Sequence, residues 1–148
     1  MEGFQKVSLK PEHHRGGLLG HGSILTATSN GVETQPVVRG VWILENLLGT
    51  PPNPPPPDID PIEPDTRGVT TIRALMEKHR NNPTCFECHR KIDPLGLSME
   101  HYDYIGIWRD RYNKKLPIDG SGKMPDGTAI NGPTGIKQIG RASCRERV

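Results

Sequence analysis

The sequence predicts a mainly α fold with large irregular content, in which a small helical module follows a proline-rich linker. Three observations carry this expectation. Apolar residues recur at helical spacing over 37–48 and again over 72–79. The 15 prolines and 17 glycines among 148 residues interrupt much of the remaining chain. The stretch Cys85-Phe86-Glu87-Cys88-His89 stands directly after the second helical stretch. Only 32% of the residues are apolar and 5% aromatic, which is lean for a self-sufficient core, so a tightly held group would supply part of it.

Taken in order, residues 1–11 alternate only weakly. Pro11 to Gly22 gathers four glycines and three histidines around Leu18 and Leu19, the composition of an irregular, glycine-permissive loop. His13, His14 and His21 read there as solvated loop histidines, with metal ligation as the alternative. Ser23 to Ser29 reads as a short strand closed by the Asn30-Gly31 turn. Pro36 can open a helix in which Val37, Val41, Leu44 and Leu48 recur at i, i+4, i+7 and i+11. Val38 and Trp42 widen the stripe and Gly49 is placed to end it; such a face needs a partner surface.

Pro51 to Pro64 holds eight prolines in fourteen residues. Proline fixes its own torsion and lacks a donor, so the stretch reads as a stiff polyproline-type spacer, roughly 40 Å long at about 3.1 Å per residue, with docking to an aromatic groove as the alternative. Beyond it, Thr66 or Thr70 can cap a second helix to about Arg80, with Ile72, Leu75, Met76 and His79 on one face and Pro83 barring continuation. Met76 and Met99 read as packing residues and His79 as a satisfied core histidine. Asp93-Pro94 gives a start signal for a short helix through about Asp103. Tyr104 to Tyr112 carries three of the seven aromatics, Tyr104, Trp108 and Tyr112, and residues 117–135, rich in Gly, Pro and Asp, read as a loop holding Lys123-Met124-Pro125.

Cys-x-x-Cys-His is the pattern of c-type haem attachment. Two thiols three positions apart can add to the two vinyl groups of one haem, and the adjacent imidazole is then delivered to the iron. Cys85, Cys88 and His89 are therefore the candidate cofactor-binding residues, with His89 the proximal ligand. Its other ring nitrogen needs an acceptor, for which backbone carbonyls around Asp93 or Pro94 are near in sequence. Met124, followed by proline, is the candidate metal ligand opposite His89; His79, His101, His21 and Met99 are its rivals. Trp108 serves equally as the wall of a haem or as plain core.

Zinc is the main rival chemistry, because Cys-x-x-Cys is half of a structural zinc site. It would have to recruit His89 together with His79 or His101. A thioredoxin-type dithiol needs a strand and helix arrangement that this region lacks. Glycine-rich phosphate loops and nucleophile elbows are missing from the sequence, carboxylates such as Asp58, Asp60 and Asp65 read as linker solvation, and Arg15-Gly16-Gly17 is too short to argue for RNA. The expectation is a redox carrier module, in preference to a catalyst on its own, without a nucleic-acid partner. Its alternative is a structural or partner-binding domain whose Cys-x-x-Cys-His site binds zinc or is vestigial.

The last ten residues, Ile139 to Val148, resemble a translated sequencing adapter and are set aside as a non-native tail. Without Arg141, Arg145, Arg147 and Glu146, three of the 19 basic and one of the 17 acidic residues go, and the net charge of +2 falls to zero. Cys144 goes too, which leaves cysteine only in the motif and no disulfide framework. The N-terminus lacks a charged lead followed by an apolar run, and no stretch of 18 apolar residues spans a membrane, so the chain reads as a fragment cut at both ends. The organisation expected is an irregular segment with one amphipathic helix over 1–50, a proline-rich linker over 51–65, a haem module over 66–138 and the tail over 139–148.

Arg15-Gly16-Gly17-Leu18-Leu19, Leu25-Thr26, Arg39 through Thr50 with its proline run, His79-Arg80, Cys85 to His89, Ile92-Asp93-Pro94-Leu95-Gly96, Gly106-Ile107-Trp108-Arg109 and Asp126-Gly127 together resemble the C-terminal region of the large secreted cytochrome c-like proteins of planctomycete-type bacteria. The likeness covers about Lys6 to Lys137, and the order of helix then motif is similar to that of small class I cytochromes. In that family these segments belong to consecutive domains of unknown function behind other cytochrome-like domains. The resemblance implies covalent haem, a periplasmic or otherwise extracytoplasmic location, and electron transfer with a redox partner protein or with upstream cytochrome-like domains of the same full-length chain. It leaves the distal ligand open.

Overall fold

The computed structural model describes residues 3–15, 17–54, 71–80, 83–112 and 115–146. Among them the regular structure is α1 (Gly22–Ala27), α2 (Pro36–Ile43), α3 (Ile72–His79), α4 (Pro83–Leu97) and α5 (Gly132–Glu146), with two small antiparallel hairpins. One hairpin joins β1 (Arg111–Tyr112) to β2 (Leu116–Pro117), the other β3 (Ser121–Lys123) to β4 (Ala129–Asn131). The fold is mainly α with large irregular content, as the sequence predicts.

The expected strand over 23–29 is instead α1. Leu25 is its buried residue, and Thr28, which caps its C-terminal end, is buried three positions on, which is helical and not strand spacing. The Thr28 hydroxyl donates to the Ile24 carbonyl at 2.7 Å. The turn that follows is formed as expected: the Asn30 side-chain oxygen accepts from the backbone N–H groups of Val32 and Glu33, and Gly31 takes φ 83°.

Pro36 opens α2, and a wider π turn, Leu44–Leu48, prolongs it until Gly49 at φ 63° ends the run. The buried face is rotated from the expected stripe. Pro36, Arg39, Gly40, Ile43, Leu44 and Leu48 are buried, whereas Val37, Val41 and Trp42 are half-buried and Val38 is exposed. The physical reason is Gly40: a Cβ there would lie 2.3 Å from the Ile92 carbonyl oxygen, so only glycine lets α2 lie on α4 at this point. Gly96 does the same from the other side, its missing Cβ falling 1.8 Å from the Pro36 carbonyl oxygen.

This crossing builds the core. Leu19, Leu25, Ile43, Leu44 and Leu48 from before the proline-rich stretch form one cluster with Ile92, Leu95, Met99, Tyr102, Ile130 and Ile136 from after it. Where the sequence reading places a spacer between two modules, the described residues on its two sides share a single core. Most of that spacer, and the expected caps Thr66 and Thr70, lie outside the described residues; the observed cap of α3 is Thr71, whose hydroxyl accepts from the Ala74 N–H at 3.1 Å.

Among the described residues, Arg39 is the largest fully buried side chain. Its guanidinium donates to the carbonyls of Met99 (3.2 Å), Tyr102 (2.7 Å) and Asp103 (2.7 Å), binding α2 to the turn that follows α4. Burial pulls it down to about 10, with Glu100 opposing, so it stays charged at neutral pH. Glu100, also fully buried, accepts through Oε2 from the hydroxyls of Thr34 (2.9 Å) and Tyr112 (3.1 Å) and from the Arg109 guanidinium (3.3 Å).

Two further expectations are corrected. Asp93-Pro94 does not start a helix but lies inside α4, which carries the whole Cys-x-x-Cys-His motif and ends at Leu97. The expected loop over 117–135 contains the β3–β4 hairpin and the start of α5. Gly122 of β3 seats against Pro94, where a Cβ would be 2.9 Å from the proline Cα, and Gly135 of α5 seats against Ile130. Glycine here marks close packing, not looseness. The helix also runs on through residues set aside as tail, with Ile139 packed at the edge of the core.

Candidate haem site

The site is assembled by α3 and α4. Arg73 of α3 donates to the Asp119 carbonyl at 2.9 Å and lies 3.3 Å from its carboxylate, which ties that helix to the segment leading into β3. Arg80 caps the end of α3, and α4 begins at Pro83, where the ring fits the first helical position. The short connection brings Cys85, Cys88 and His89 into the first two turns of α4. Side chains three and four apart on a helix share a face, so the two thiols and the imidazole do so here. Cys85 is buried at 7% exposure, Cys88 is half-buried at the edge of the core, and the two are not joined by a disulfide.

His89 Nδ1 lies 2.8 Å from the Asp93 carboxylate Oδ1. The expected acceptor is a backbone carbonyl near Asp93 or Pro94; the observed one is the side chain of Asp93. Because the helix continues through the motif, residue i+4 stands beside the ring. Asp93 is 0% exposed, its second oxygen Oδ2 has no hydrogen bond, and Arg80 Nε faces that oxygen at 3.6 Å. With Nδ1 engaged by Asp93, Nε2 is the ring atom that would have to reach a metal. Two unbridged thiols one helical turn apart, followed by an imidazole whose Nδ1 is held by a buried carboxylate, form a donor set that fits covalent haem.

The other candidates are scattered. Met124 is half-buried at the core's edge in the β3–β4 turn, where its N–H bonds the Thr128 carbonyl at 2.9 Å. Met99 is a core residue at 2% exposure, and Met76 is buried at 4%. His21 shares a 2.8 Å hydrogen bond with the Ser23 hydroxyl, and His13 Nδ1 accepts from the Lys10 N–H. His101 donates from Nδ1 to the Arg109 carbonyl at 3.0 Å. His14 and His101 both stack on Trp108, with centroids 3.9 and 4.7 Å away, and Tyr102 meets the same indole edge-on. Trp108 thus has an aromatic role inside the protein. The His79 side chain lies outside the described residues.

Among the described residues, no three or more His, Cys, Asp or Glu side chains converge as a metal cage. The sequence reading missed Asp93 and Arg80 as partners of the motif, and Arg39 and Glu100 as its buried support. Only the first left a local signal, an acidic residue four positions after His89.

Neither the curated proteins nor the solved structures include a match to the chain. Residues 15–112, about two-thirds of the chain, match the family model PSCyt3, described as a protein of unknown function (DUF1588). The matched span contains α1 to α4, the motif, Asp93 and the Trp108 loop, and stops before the hairpin that carries Met124. By that match, the chain belongs to the PSCyt3 family of proteins of unknown function.

Proposed function

We propose that this chain is a c-type haem-binding, electron-transfer module of a larger extracytoplasmic protein. Cys85 and Cys88 are the thioether anchors, His89 Nε2 is the proximal ligand, and Met124 is the candidate on the opposite side. The observation that carries the reading is the pairing of the motif with Asp93, since an imidazole whose Nδ1 is held by a buried carboxylate is oriented for metal binding. A bound haem supplies one-electron oxidation and reduction. The protein's part is to anchor it, aim His89 and limit water at the anchors, which the burial of Cys85 favours.

The family's name points the same way, toward cytochrome-like proteins. No helix among the described residues is long and apolar enough to cross a membrane. The electron partner on this reading is a separate redox protein or a cytochrome-like domain elsewhere in the full-length chain. The extracytoplasmic location rests on where such motifs receive haem.

Co-expression with a c-type maturation system, followed by a denaturing gel stained for haem peroxidase activity, tests the proposal. A stained band at the chain's mass supports it and a colourless band overturns it. The low exposure of Cys85 favours a second reading, in which the thiols are packing residues of a structural domain. That reading requires the colourless result.

A further inference from the structure

Resting on the haem reading, we propose that Arg80, Asp93 and His89 form a relay of charge that sets how strongly His89 binds iron, with Asp93 the positioning residue and Arg80 its moderator. The three are in line: Arg80 Nε stands 3.6 Å from Asp93 Oδ2, and Asp93 Oδ1 lies 2.8 Å from His89 Nδ1. Arg80 also reaches the Glu77 carboxylate at 3.7 Å.

Burial gives this arrangement its force. Asp93 is 0% exposed, so water does not share its charge, and Oδ2 has no hydrogen bond to satisfy it. A carboxylate left in that state is costly unless something else uses its charge. Among the described residues, the Arg80 guanidinium and the His89 ring N–H stand beside it. Accepting from Nδ1–H, the anion pushes electron density through the ring toward Nε2 and makes it the better donor. A stronger donor favours the oxidised metal and lowers the reduction potential, hydrogen bonding to the axial ligand being one of the protein's tuning levers. Arg80 draws on the same anion from its other oxygen and holds that effect in check. Its side chain is 23% exposed, so its pull is partly screened, and the balance lies with Asp93.

The test uses the matured wild-type chain, Asp93→Asn and Arg80→Gln. Each is measured by spectroelectrochemical titration and by the iron–histidine stretching frequency of the photolysed ferrous carbon monoxide form. Asp93→Asn keeps the shape and removes the anion; it should raise the potential by a tenfold change in the redox equilibrium, about 59 mV for one electron, and lower the stretching frequency. Arg80→Gln should move both readouts the opposite way. A merely structural role for Asp93 would change stability or yield but leave the stretch in place. Haem attached in wild type with an unchanged stretch in Asp93→Asn overturns this inference and leaves the haem reading standing. A wild-type chain without haem overturns both. Should Asp93→Asn yield no folded protein, Arg80→Gln decides alone, and an unmoved stretch there overturns the relay.

Discussion

Gly96 lies so close under Pro36 that a Cβ on it would stand 1.8 Å from the proline carbonyl oxygen. This contact, with its counterpart between Gly40 and Ile92, fastens the segment before the proline-rich stretch to α4, the helix that carries the Cys-x-x-Cys-His motif. Neither neighbour is the end of a flexible side chain, so neither can give way easily. Gly96→Ala should therefore cost about 3 kcal/mol, the upper end of the usual overpacking range, in urea denaturation. Gly22→Ala, where the nearest atom is 3.8 Å away, should stay within about 0.5 kcal/mol. Equal costs at the two sites would show that the helix crossing is looser than described.

Arg39 should be among the least replaceable side chains. Arg39→Leu strips donors from the carbonyls of Met99, Tyr102 and Asp103 and leaves Glu100 without its nearest buried counter-charge on α2. Breaking such a buried pair costs about 3–5 kcal/mol. Combined with Glu100→Gln, the loss should be smaller than the sum of the single losses, because the two groups share one network. A strictly additive double-mutant cycle would separate them energetically.

Glu100 also gives the fold a pH dependence. Burial raises its carboxyl above the ordinary 4.5, and its favourable partners, Arg39 first, then Thr34, Arg109 and Tyr112, oppose this without cancelling it. The folded state thus holds this proton more tightly than the unfolded state. Stability from the group is fully present below pH 4.5 and is lost as pH rises through the elevated folded value. Wild type should lose stability relative to Glu100→Gln over that window, read from urea midpoints at successive pH values. A difference independent of pH would contradict the assigned shift.

Met124 sits two residues beyond Gly122, which seats β3 on Pro94 of the motif helix. If it ligates opposite His89, Met124→Leu should alter the visible spectra of both oxidation states and lower the potential, since a thioether ligand raises it. Its cost to stability should be under about 1.5 kcal/mol, as for other volume-conserving swaps. Unchanged spectra would remove Met124 from the ligand set.

What was legible in the sequence was what is local. The motif, the Asn30-Gly31 turn and the helices opened by Pro36 and ended near Arg80 follow from spacing and punctuation within a few residues. What was not legible depends on distant partners. Ser23 to Ser29 has the composition of a strand, yet its first part is helical because Leu25 and the capping residue Thr28 find one buried face. Gly122 and Gly135 look like loop residues and are contact points. Setting aside the last ten residues also removed Ile139 from the apolar repeat that, with Ile136, marks α5. Asp93-Pro94 carries a helix-start signal, and that signal masks the place of Asp93 one turn after His89 inside α4.

The most direct test of the central claim is the intact mass of the chain, co-expressed with a c-type maturation system and measured under denaturing conditions. Wild type should carry the added mass of one haem, and that increment should be lost when Cys85 and Cys88 are both changed to serine. A wild-type chain with the mass of the bare polypeptide would contradict it.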